Sequence, residues 1–184
     1  MARPRTFDPQ AIRRKIMNIF WAKGYDGASL SDLTKGTGLK KGSLYGAFGD
    51  KSSMFQLALL EYDKVAVDRM IEIMDSLPGD QALRALMLAP ANAVDANDRR
   101  GCLLCNSFSE YSKLDAVARQ MATRSRSQLL AGVERALVSH FGDTAQNVSG
   151  VQILATYVGL GVMARGGVDG ASLREAGEAM LRQL

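Results

Sequence analysis

The chain has 184 residues, 47% of them apolar and 23% charged, which is long enough to bury a real core and excludes a disordered or fibrous chain. No apolar run approaches the roughly 20 residues that span a bilayer, and the N-terminus MARPRTFDPQ lacks the apolar core of a secretory leader. Charge is unevenly placed: residues 1–51 carry a net +6 and the remaining 133 a net −2, so a polyanion partner is expected for the head alone.

Met1–Thr6, with Arg3 and Arg5 around Pro4, is expected to be an unstructured arm, either a frayed terminus or a segment that enters a minor groove. Asp8-Pro9 pairs a capping residue with proline at the first helical position, and Ile12, Ile16, Ile19 and Phe20 then recur at helical spacing. Arg13, Arg14 and Lys15 fall on the other side, and Gly24 ends this first helix. The next stretch, SLSDLTKGTGLKKGSLYGAFGDK from Ser29 to Lys51, is the one the rest is organised around. Ser29 and Asp32 have capping-box spacing, Leu30 and Leu33 give one apolar side, and Gly38 can take the left-handed conformation that stops a helix. A further helix is predicted over Lys41–Phe48, anchored by Leu39, Leu44 and Phe48, with Lys40, Lys41, Ser43 and Tyr45 outside. Two short helices around a glycine turn, the second bearing cations and hydroxyls, describe a helix-turn-helix.

From Asp50 one long helix is predicted up to Pro78-Gly79, a mechanical link between head and body. Pro90 and the polar stretch Asp95–Arg100 are expected to bracket a break. Helices follow at about Gly101–Ser112, Asp115–Phe141, from near Thr144 to Gly166-Gly167, and Ser172–Leu184. The fold class is therefore all-α, divided into 1–51 and a helical body 52–184.

The sequence GYDGASLSDLTKGTGLKKGSLYGAFGDKSSMF resembles the N-terminal signature of the TetR family of bacterial repressors, over about Phe7–Phe55. The agreement lies in Gly24-Tyr25, Ser29, Leu33, Gly38-Leu39, Lys41 to Tyr45, Phe48 and Lys51. Lys40 stands where the family often has a serine cap, and Gly46 where it often has a large polar residue. The resemblance implies a cytoplasmic transcriptional repressor that binds a palindromic operator in double-stranded DNA as a homodimer and is released by a small-molecule effector. It places the dimer interface on the last two helices, where Ile153, Tyr157, Leu160, Met163, Leu173, Met180 and Leu181 supply apolar material. Within the head, Ser29, Lys41, Tyr45 and Lys51 are expected to hold phosphates, and Lys40 and Ser43 to reach base edges beside a closely approaching Gly42.

Met70, Met74, Met87, Phe108 and Met121 are candidate pocket residues, methionine being adaptable to varied shapes, although ordinary core packing accounts for any one of them. Gly36–Ser43 and Gly159–Ala164 mimic phosphate and dinucleotide fingerprints, but the first is flanked by helix on both sides and too little chain follows the second. His140 is the only histidine, so no Ser/His/Asp set or zinc-protease motif assembles; no enzyme, cofactor or metal is expected. Two cysteines three apart in a chain without a leader point to a reducing compartment and free thiols. The segment Gly101-Cys102-Leu103-Leu104, followed by Asn106, resembles one in TetR relatives that respond to electrophiles or oxidants, which puts that role on Cys102. Arg99, Arg100 and a helix N-terminus would favour its thiolate, and Cys105 lies one turn on as a redox partner; two small buried packing residues are the alternative.

Overall fold

The computed structural model describes residues 7–142 and 148–184, all-helical with no strand among them. The arm with Arg3 and Arg5, and the helix start expected at Thr144, lie outside the described residues.

α1 (Pro9–Gly27) opens as its sequence dictates, with the Asp8 carboxylate accepting from the Gln10 amide at 2.9 Å. Gly24, at φ +76°, breaks the helix, and a short extension runs on to Gly27. The break frees the amides of Tyr25 and Asp26, which donate to the Glu110 carboxylate at 2.8 and 2.9 Å. A Cβ at Gly24 would stand 2.8 Å from that carboxylate, so the backbone conformation and the close approach both require glycine. α2 (Leu30–Thr37) starts on a complete capping box between Ser29 and Asp32 and ends on Gly38 at φ +75°. α3 (Lys41–Phe48) follows, then α4 (Lys51–Tyr62), capped by Asp50.

The rod that begins with α4 continues to residue 75, through a π-helical turn at Asp63–Val67 into α5 (Asp68–Asp75). The long link is therefore present, with one extra residue per turn inserted where the sequence shows no breaker. α6 (Gly79–Asp95) corrects the expectation at Pro90: the proline lies buried inside the helix and does not break it. Its ring forfeits the bond to the Leu86 carbonyl, yet α6 packs against α8, α9 and α10, and that burial outweighs a local cost of about 3 kcal/mol. α7 is shorter than expected, Leu103–Ser109, and the remainder becomes a 3-10 turn at Tyr111–Lys113. α8 (Ala116–Phe141) begins on its Asp115 cap as predicted. α9 (Gly150–Arg165) starts later than expected, on a Ser149–Gln152 capping box, and α10 runs over Gly170–Leu181 rather than Ser172–Leu184.

Two apolar clusters hold these elements together. The first joins α1–α4 to α7 and α8 around Phe20, Leu33, Leu44, Met54 and Phe55, so the helix-turn-helix and the start of the rod share one core. Phe20 and Phe55 meet edge to face with centroids 5.1 Å apart. The second joins α6, α8, α9 and α10 around Leu83, Leu86, Met87, Val133, Ile153 and Leu173. Small residues set its spacing. A Cβ on Gly79 would stand 2.2 Å from the Ala136 carbonyl, which no backbone accommodates without moving.

Candidate nucleic-acid interface and buried thiol centre

α3 turns Leu44 and Phe48 fully into the core, one helical turn apart, which leaves Lys41, Gly42, Ser43, Tyr45 and Gly46 exposed on the outward side. Lys40 is the N-cap and makes no side-chain cap bond, so the first amides of α3 remain open to an outside acceptor. Lys41 Nζ lies 5.9 Å from the Tyr45 ring centre. Among the described residues neither Lys40 nor Lys41 has an ion-pair partner. Glycine at positions 42 and 46 of an eight-residue helix costs about 1 kcal/mol each relative to alanine. Among the described residues, nothing beyond the adjoining helix itself comes within 4 Å of a Cβ at either position. Packing among the described residues gives no steric need for these glycines.

Two of the expected phosphate contacts are partly committed within the chain. Ser29 Oγ caps α2, accepting from the Asp32 amide at 3.1 Å and donating to its carboxylate at 2.7 Å. Lys51 Nζ donates to the Asp26 carbonyl at 3.3 Å and sits 4.9 Å from the Tyr25 ring centre, half-buried. Two acids of this surface, Asp26 and Asp32, are paired with lysines of the chain. Lys23 lies 2.5 Å from Asp32 and, with Ser29, holds its carboxyl well below the usual range. Lys113 of the 3-10 turn does the same for Asp26 at 2.5 Å.

The cysteines lie side by side and buried. Cys102 is the extended N-cap of α7, and Cys105 sits in its first turn. Cys105, Tyr62 and Tyr157 are the polar groups that act on Cys102. The influence of Cys105, the Tyr62 hydroxyl and the amides of Cys105 and Leu104 outweighs burial and lowers the Cys102 thiol to about 6. Cys102 beside it, and burial, push the Cys105 thiol up. Arg99 and Arg100, expected to favour the thiolate, turn elsewhere. Arg99 donates to the Val168 carbonyl at 3.0 Å, and Arg100 pairs with Asp98 at 2.7 Å while its guanidinium lies 3.6 Å over the Trp21 ring. Hydroxyls from α4 and α9 take the place of these cations, and no local spacing in the sequence announces them.

Trp21 ties this centre to α1. Its indole N–H donates to the Gly101 carbonyl at 2.7 Å, and its ring meets Tyr62 edge to face at 5.0 Å. A cavity of about 170 Å³ opens between Trp21, Tyr62, Pro90, Cys102 and Tyr157. A larger one, about 480 Å³, lies between α7, α8 and α9. Of the residues expected to line a pocket, only Phe108 borders it. Met74 and Met87 are locked in the second core, and Met70 and Met121 pack half-buried against the apolar clusters. The cavity wall is instead made of leucine and valine whose helical spacing is indistinguishable from that of ordinary core. The expected interface set divides likewise: Ile153, Leu160 and Leu173 are buried within the chain, whereas Met163 is 51% exposed beside Val162 at 52%, and Tyr157, Met180 and Leu181 are half-buried. Among the described residues there is no group of metal-ligating side chains and no helix long and apolar enough to cross a membrane.

A basic helix-turn-helix packed on a larger helical bundle defines the architecture of the helix-turn-helix regulators. Residues 12–58 match the family described as bacterial regulatory proteins, tetR family. These residues therefore carry the helix-turn-helix pattern of that family. It is 33% identical over 113 residues to the transcriptional repressor ComR of Escherichia coli K12, a match covering 60% of this chain and 54% of that protein. It is 29% identical over 123 residues to the repressor BdcR of the same organism, covering 66% and 61%. The chain thus spans little more than half the length of these relatives. Over 98% of both chains it superposes, at a TM-score of 0.80 and 26% identity, on a cysteine mutant of the TetR-family regulator CifR in complex with a 26-bp operator duplex.

Proposed function

We propose that the chain is a transcriptional regulator, a repressor that binds a near-palindromic operator as a homodimer and is released by an effector acting on its helical body. The observation that carries this is the outward side of α3, where Lys40, Lys41, Ser43 and Tyr45 surround two glycines that the fold itself does not need. The likeness to the operator-bound regulator CifR and to the repressors ComR and BdcR supports it. Lys41, Tyr45, Ser29 and Lys51 position the phosphates; Lys40 and Ser43 face the base edges. One eight-residue helix covers too few base pairs alone, so two chains related by a two-fold axis read two half-sites. The pairing face is the outer side of α9, with Val162 and Met163, together with the half-buried Met180 and Leu181 of α10. The division falls near residue 51, with residues 52–184 serving regulation and dimerisation. The protein works in the cytoplasm and catalyses no reaction. Duplexes selected from a random library test the central point: enrichment of an inverted repeat supports it, and no enrichment over bulk sequence overturns it.

A second reading concerns how release is triggered, and the place of Cys102 on the wall of the cavity beside Trp21 and Tyr62 favours it. The Cys102 thiolate adds to a ring carbon of a quinone, the displaced electron pair moves to the quinone oxygen, and that oxygen takes a proton. The adduct must then occupy the 170 Å³ cavity walled by Trp21 and Tyr62, which disturbs the bond from Trp21 to the Gly101 carbonyl and so the seat of α1. Population then shifts to a form whose heads no longer match the half-site spacing. Benzoquinone should release DNA from the wild type and leave Cys102→Ser bound. Equal release from both would return Cys102 to packing.

A further inference from the structure

The 480 Å³ cavity is within the size range of sites for small organic molecules, and its wall is divided by chemistry. Leu104, Phe108, Leu129, Leu130, Leu154 and Val158 give it an apolar interior, with Cys105 at one side. α7 and α9 contribute no charged side chain to it. Among the described residues, the one ionised group on the wall is Arg126 of α8, next to Ser127. Arg126 is exposed and, among the described residues, has neither an ion-pair nor a hydrogen-bond partner. Phe108 and Arg126 also border a second, more polar recess with Tyr111 and Thr123, whose hydroxyls stand 3.4 Å apart. Arg126 therefore stands where the apolar chamber meets a polar vestibule. Its surroundings are cationic as well: Arg119, whose guanidinium lies 5.9 Å from the Tyr111 ring centre, and Arg124 share the first half of α8. The acids that flank this half are committed. Asp115 accepts from the Ala118 amide, Ser52 and Gln56, Asp63 accepts from Ser125, and Glu110 holds the amides of Tyr25 and Asp26.

We propose that this cavity binds a small amphipathic carboxylate, its apolar tail in the chamber and its carboxylate at Arg126, with the Tyr111 and Thr123 hydroxyls within the same vestibule. An unpaired guanidinium at the rim of an apolar chamber selects such an anion through a charge-assisted, bidentate bond. A neutral molecule of the same tail gains only the apolar burial, and a cation of the same tail is repelled. As an effector site the cavity rests on the regulator reading, and its ligand chemistry is measurable without DNA.

The test is calorimetric titration of the full chain with decanoate, 1-decanol and decylamine. Wild type should bind decanoate at least tenfold more tightly than decanol, and decylamine least. Arg126→Gln, at an exposed position, should bring decanoate and decanol within about twofold while leaving decanol unchanged. Ser127→Trp, also exposed, should weaken both by blocking the chamber. Equal binding of decanoate and decanol by wild type, a decanoate preference that survives Arg126→Gln, or no binding of any of the three would overturn the proposal. Binding of the unliganded protein to a selected duplex is measured in parallel. Its failure counts against the regulator reading alone, whereas decanoate binding that leaves DNA affinity unchanged removes the effector role and keeps the site.

Discussion

At the scale of single residues, the chemistry is carried by groups whose surroundings were built for them. Cys102 has an extended cap position, amides from the start of α7, and the polar groups of Cys105 and Tyr62, all of which favour its charged form. A thiol lowered to about 6 should be alkylated by iodoacetamide with a midpoint near that pH, not near the ordinary 8.5. Tyr62→Phe removes that hydroxyl, so the midpoint should move upward. An unmoved midpoint would mean that the hydroxyl does not act on the sulfur. The cations of α3 make a different kind of contribution. Lys41→Ala should weaken every duplex about equally and lower the slope of log K against log salt by roughly 1. A changed sequence preference at constant slope would place Lys41 on a base edge instead. Lys51 is not equivalent, because its bond to the Asp26 carbonyl means that its removal also disturbs the α1 terminus.

At the scale of elements, α3 and α8 show opposite uses of local sequence. α3 keeps two glycines that weaken it, so Gly46→Ala should raise the melting temperature by roughly 2–4 °C and reduce affinity for the selected operator. A variant gaining stability with no loss of affinity would show that the open path at residue 46 is unused. α8 is started by Asp115, which also accepts from Ser52 and Gln56 of α4 and so fastens the rod to the body. Asp115→Ala should cost about 1–2 kcal/mol, read as a drop of several degrees in melting temperature. The Ala118 amide and Ser52 depress the Asp115 pKa, so its contribution is complete above the ordinary carboxylate pKa and lost as pH falls through the lower folded value. The helix-turn-helix was legible in the sequence because its determinants are local: the Ser29–Asp32 cap, the Gly38 stop, the Leu44 and Phe48 pair. Pro90 was misjudged because its rule is local too, while the packing that overrides it comes from α8, α9 and α10. The π-helical turn at Asp63–Val67 carries no breaker, and the partners of Cys102 come from residues 62 and 157, so neither had a signal within one stretch of chain. The cavity was missed for a related reason, since leucines that line a void have the same spacing as leucines that fill one.

At the scale of the whole molecule, one apolar cluster runs from α1–α4 into α7 and α8, so the head does not swing on a linker but is seated on the body. Trp21, held by the Gly101 carbonyl and by Tyr62, and Arg165, donating to the carbonyls of Trp21, Ala22 and Arg100, are the seat's polar fastenings. The seat therefore joins the thiol centre to α1, the connection on which the proposed release by a Cys102 adduct depends. The proposed pairing face lies on the outer side of α9, where Val162 and Met163 are more than half exposed on a helix whose other side is core. Met163→Asp should leave the monomer fold intact, since the side chain faces solvent, and should abolish both self-association and tight operator binding. Retention of operator affinity by a monomeric variant would separate dimerisation from recognition. The most direct test of the central claim is sedimentation of the full chain with the duplex enriched by selection. The account predicts a free dimer at micromolar concentration and an even number of chains on each inverted repeat. A free monomer that binds a lone half-site with one chain would contradict it.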